Sequence, residues 1–82
     1  MATKDITDAQ VCRAVQAYQD TMEASGFTAD CPYPYEALAI ETGQAEKVCY
    51  RAMERAYRRQ LIECGVSLRT GWLTDKGKAL IL

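Results

Sequence analysis

The chain has 82 residues, of which 49% are apolar and 26% charged, and a net charge of −1. That length holds one small domain, 1–82, and excludes a second, while the apolar share excludes a disordered chain. There is no run near the ~18 apolar residues of a membrane span and no apolar stretch in the opening MATKDITDAQ, so a cytoplasmic protein with no membrane partner is expected.

Thr7 is followed three residues later by Gln10, the spacing of a capping box, and Ile6 and Val11 stand where a hydrophobic staple would close over it. The first helix is therefore predicted to start at Asp8. Val11, Ala14, Val15, Tyr18 and Met22 recur at three- and four-residue steps, so one face stays apolar to about Ala24, and Gly26 can end the helix. The segment 27–34 (FTADCPYP) reads as a loop, because each proline biases its predecessor away from helix. Pro34 suits the first turn of a second helix, predicted from Pro34 to Thr42, with Gly43 as its left-handed cap.

A third helix is predicted over 45–59. Ala45, Cys49, Ala52, Met53 and Ala56 share one face, and Lys47, Arg51, Arg55 and Arg58 share the other. After Leu61 the period becomes strand-like: Leu61–Glu63 and Val66–Leu68 can form strands, Gly71 suits a turn, Trp72–Leu73 returns, and Thr74 can cap a last helix through Leu82. The core is expected to centre on Val15, Tyr18, Leu38, Cys49, Ala52, Leu61, Leu68, Trp72, Leu73 and Leu80.

The charge is unevenly divided. Residues 1–43 carry Lys4 and Arg13 against seven acidic side chains, a net of −5, whereas residues 44–82 carry eight basic against four acidic, a net of +4. A basic half can meet phosphate; an acidic half more often meets solvent or protein. The four cysteines, at 12, 31, 49 and 64, form no Cys-x-x-Cys pair and there is no histidine, so reduced thiols with no metal are expected. Cys12 and Cys49 lie on apolar helix faces and read as core residues, Cys31 and Cys64 as loop or strand-edge positions. Neither a general-base histidine nor a glycine-rich phosphate loop nor a supported carboxylate pair is present, and a non-enzyme with no cofactor and no small-molecule ligand is expected.

Read as one unit, Tyr35–Leu80 resembles a winged helix-turn-helix. Leu38 and Ala39 fall in the first helix of the pair, Gly43 in the turn, Cys49 and Ala52 on the inner face of the second, and the stretch from Leu61-Ile62-Glu63 to Trp72-Leu73-Thr74-Asp75-Lys76-Gly77 is similar to the wing of MarR-type regulators. The resemblance covers about half the chain. It implies a mainly α (α+β) fold of three to four helices with a small antiparallel β-hairpin, and a non-catalytic duplex DNA-binding protein of the small phage or prophage transcriptional-regulator kind. In that reading helix 45–59 enters the major groove, a wing at 66–73 flanks it, and the DNA-binding residues are Lys47, Tyr50, Arg51, Arg55, Arg58 and Arg69. Tyr57 reads as half-buried packing, and acidic helix one as a support of the fold or a homodimer surface.

Two positions depart from the family pattern. Gln60 stands where a glycine often ends the second helix, and a left-handed non-glycine there costs ~1 kcal/mol. Ala56 stands where a larger aliphatic residue is common, so the core beneath the third helix is expected to be either thin or filled from elsewhere, by Trp72 or Tyr57. The competing reading is a winged-helix protein-interaction module, in which the surface grips a protein, favoured by the net charge of −1 and the pI of about 5.3; for the stripe by itself the alternative is a solvated face with a Glu54–Arg58 pair.

Overall fold

The computed structural model describes residues 6–26, 32–64 and 71–81. The elements in chain order are α1 (Asp8–Ala24), α2 (Pro34–Thr42), α3 (Glu46–Arg58), β1 (Ile62–Glu63), β2 (Trp72–Leu73) and α4 (Asp75–Leu80). The described part is thus mainly helical with a two-stranded antiparallel sheet, in which Ile62 pairs with Leu73 and Glu63 with Trp72.

Local chemistry sets the helix ends. At α1, Thr7 Oγ1 accepts from the Gln10 N–H (3.1 Å) and the Thr7 N–H donates to Gln10 Oε1 (2.8 Å), while Ile6 and Val11 close over this box fully buried. Pro34 occupies the first turn of α2, the Tyr33 N–H donates to Glu36 Oε1 (2.9 Å), and Gly43 ends the helix at φ 75° with its N–H on Ala39 O. Gln60 takes the left-handed conformation, φ 63°, that the family pattern assigns to glycine. Its N–H reaches Tyr57 O and the Leu61 N–H reaches Ala56 O, both at 3.0 Å, which is a Schellman ending to α3. Thr74 caps α4 by accepting from the Gly77 N–H at 3.1 Å.

α1 lies against α2, α3, β2 and α4, and the core fills the space between them. Ile6, Val11, Cys12, Val15, Leu38, Cys49, Ala52, Met53, Ala56, Leu61, Ile62 and Leu73 are buried together, so Leu38 and Cys49 belong to one cluster.

Three expected core residues stand elsewhere. Pairing puts Ile62 and Leu73 on the inner face of the sheet, so Trp72, one residue out of phase, points outward and is 41% exposed. Leu80 is 46% exposed, because the inner side of α4 carries Gly77 and the half-buried Ile81, four residues apart. Tyr18 is only half-buried. Neither Trp72 nor Tyr57, itself 48% exposed, belongs to the buried cluster that holds Ala56; its larger members include Ile6, Leu38, Met53 and Ile62. Leu68, the 66–68 strand and Cys31 lie outside the described residues.

Candidate nucleic-acid interface

α3 has one buried face, Cys49, Ala52, Met53 and Ala56, and turns Lys47, Arg51, Glu54 and Arg58 to solvent. At about 100° per residue the three cations fall within an arc of roughly 40°. Among the described residues none of the three has a hydrogen-bond or ion-pair partner, and the Glu54–Arg58 pair anticipated on this face does not form.

Arg55 does not belong to this face. It sits roughly 60° around the helix from Arg58, on the flank that meets α1. There its Nε donates to Asp8 Oδ1 at 2.9 Å, a second nitrogen donates to the Ile6 carbonyl, and its side chain keeps 17% of its exposure. Arg59 joins the same carboxylate, Nη1 to Asp8 Oδ2 at 2.5 Å. Burial pushes the Asp8 carboxyl up, but the hydrogen bonds and charges of Arg59 and Arg55 outweigh it and hold the group below the usual carboxylate range. The single Asp8 carboxylate therefore offsets one of the two positive charges of Arg55 and Arg59, and the pair ties the start of α1 to the end of α3, with the Arg59 side chain still 59% exposed. The heptad-like spacing of Lys47, Arg51, Arg55 and Arg58 concealed this, because the partner lies 47 residues from Arg55 in the chain.

Tyr50 is half-buried on the other flank of the stripe. Its ring meets Tyr35 of α2 edge-on at 5.6 Å; Tyr35 stacks on Tyr33 at 6.2 Å, and Tyr33 in turn meets Tyr18 of α1 at 6.0 Å. This row of four rings fixes the start of α2 between α1 and α3 and sets Tyr50 beside Lys47 at a shallow recess shared with Tyr35 and Glu46. Nothing in the sequence announces the row, because the four tyrosines share no helical period.

At the far end of the stripe a larger recess of about 950 Å³ opens between the end of α3, the sheet and the start of α4. Arg58 and Lys76 stand on it together with Glu63 and Asp75, so its charge is mixed, and Lys76 Nζ is turned to the Arg59 carbonyl at 3.2 Å. Arg69, the expected wing contact, lies outside the described residues.

Cys12 and Cys49 are free thiols in the core, both pushed up by burial, Cys12 further by the charge of Asp8, and so they stay protonated and unreactive. Among the described residues no group of three or more His, Cys, Asp or Glu is assembled to hold a metal ion, and no helix is long and apolar enough to cross a membrane. Comparison of the chain with protein-family models, curated proteins and solved structures finds no match.

Proposed function

We propose that this protein is a winged helix-turn-helix that binds duplex DNA without catalysis, as a small transcriptional regulator of the phage or prophage kind. α2, the Gly43 turn and α3 form the helix-turn-helix; the β1–β2 pair is the base of the wing. The single observation that carries the reading is the line of Lys47, Arg51 and Arg58, three exposed cations on one face of α3 with no internal counter-ion among the described residues. Lys47 and Arg51, four positions apart, are like charges that cost the helix a few tenths of a kcal/mol, which a phosphate ligand would offset. Tyr50, beside Lys47, supplies a hydroxyl for a neighbouring phosphate, and Arg69 remains the candidate contact of the wing. Arg55 acts through the fold instead. A homodimer belongs to the same reading, since three cations per copy make a small footprint and two copies of α3 double it.

Fluorescence anisotropy with a short duplex over a salt series tests this. Three phosphate contacts per copy predict that the logarithm of affinity falls with the logarithm of salt at a slope of roughly −3 for one bound copy and about twice that for a bound dimer. The double variant Arg51→Ala/Arg58→Ala should bind more weakly and lose about one unit of slope per contact, with circular dichroism unchanged. A parent chain that fails to bind duplex even at low salt leaves the protein-interaction module as the better account; the outward Ile40, Tyr57 and Trp72 favour that second reading.

A further inference from the structure

Ile40 is 79% exposed in the middle of α2, a helix whose other apolar side chains are buried or half-buried. A lone exposed isoleucine is ordinary on a protein surface. This one lies on the same helix as Ala37 and Glu41, which line a groove of about 270 Å³ between α1 and α2 together with Arg13, Ala14, Ala17, Tyr18 and Thr21 of α1 and Pro32. The groove also carries one cation, Arg13, and one anion, Glu41, on opposite helices. Neither has a charged residue three or four positions away, and neither has an ion-pair partner among the described residues.

We infer that this face is a homodimer surface, in which Ile40 of each copy enters the α1–α2 groove of the other and Arg13 of each meets Glu41 of the other. A second copy is the occupant because one chain carries every half of the contact. It has a projecting apolar side chain, a nearby groove in which Ala14, Ala17 and Ala37 leave room beside the Tyr18 ring, and a charge of each sign at the groove. A twofold axis makes such a surface complementary to itself and closes the assembly at two. The groove lining sums to zero charge, so the acidic excess of the first half of the chain is not concentrated in the contact.

The position of the face on α2 supports the same arrangement. Tyr35 and Ala39 lie on the side toward α3, Ala37 and Glu41 on the side toward α1, and Ile40 points outward between them, at about 100° per residue. The groove lining includes none of Lys47, Arg51 and Arg58. The inference deepens the homodimer part of the proposed function, and it stands whether or not DNA is the ligand.

Sedimentation equilibrium of the full chain, with no DNA present, tests it over about 1 to 300 µM. The weight-average mass should rise from 9.2 kDa toward twice that value. Ile40→Glu should weaken association at least about tenfold, because a side chain now buried in each copy would bring a charge into the groove. Ala17→Glu, at an exposed position in the groove lining, should do the same by filling it. Circular dichroism should report both variants folded. Arg13→Glu alone should weaken the dimer, and Arg13→Glu/Glu41→Arg should return it to within about threefold of the parent, a recovery that only contact between these two positions produces. A parent chain that stays at monomer mass across the range overturns the inference. So does a dimer indifferent to both Ile40→Glu and Ala17→Glu, or a charge reversal that fails to recover. Loss of DNA binding with the dimer intact would count against the DNA reading only.

Discussion

Among single residues, Gln60 carries a cost the fold could shed. Its φ of 63° lies in the left-handed region, where a side chain costs about 1 kcal/mol relative to glycine, yet the Schellman bonds on either side of it require that conformation. Gln60→Gly removes the strain but frees the unfolded chain, so the net gain is smaller than the strain itself. The expected outcome is a stabilisation of about 0.5–1 kcal/mol, or roughly 2–8 °C in Tm for a domain of this size. Thermal unfolding followed by circular dichroism checks it; a Tm at or below that of the parent would mean that the strain does not exceed the entropy the glycine adds to the unfolded chain. Gly43 takes a similar conformation, and a methyl group placed on its Cα would meet nothing within 4 Å, so its requirement for glycine is conformational rather than steric.

Among the elements, α4 is held by closeness of approach. A Cβ on Gly77 would stand 2.1 Å from the Leu61 carbonyl oxygen, which is backbone and already accepts from the Thr74 N–H and Thr74 Oγ1 at 3.1 Å. Neither partner can yield without breaking the link from the end of α3 to the start of α4. Gly77→Ala, favourable for helix propensity alone, should therefore destabilise by about 2–3 kcal/mol. Urea unfolding at constant m checks this, and a neutral or stabilising result would show that α4 can slide away from Leu61. The sheet depends on the same junction, since Leu61 leads into β1 and Thr74 follows β2.

Across the whole molecule, the Asp8 clamp closes α1 onto α3 over the core, joining segments about 50 residues apart in the chain. Asp8→Asn keeps the shape but removes the charge that Arg55 and Arg59 share, and should cost about 1–2 kcal/mol. The dependence on pH follows from the sign of the shift. The folded carboxyl sits below its unfolded value, so its contribution is complete above about pH 4 and is lost as pH falls through the lowered folded value. Stability curves of the parent and Asp8→Asn should accordingly run parallel at neutral pH and converge in acid. Curves that stay equally far apart down to about pH 2, roughly two units below the free group, would show that the clamp is not the acid-sensitive element. Arg55→Ala should lower Tm in the same way, while Arg51→Ala, with no partner among the described residues, should leave it unchanged.

Features settled within a few residues were legible in the chain alone. The Thr7–Gln10 box, Pro34 at the start of α2, Gly43 at its end and the cap that Thr74 sets on α4 by accepting from Gly77 each involve groups no more than four positions away, and α1, α2 and α4 begin where those signals stand. The buried face of α3 was legible for a related reason, because helical period places Cys49, Ala52, Met53 and Ala56 together; Ala45, assigned to the same face, is the exposed N-cap before the helix starts. Other features exist only in the packed chain. Trp72 and Leu80 look like core residues by composition, but strand pairing and the Gly77 contact turned their neighbours inward instead. Arg55 looks like its neighbours in the stripe, but it lies on the flank where α1 arrives with Asp8. Hydrophobicity and charge say what a side chain can do; which partner it meets depends on how elements far apart in the chain come to lie against one another, and no local signal encodes that arrangement.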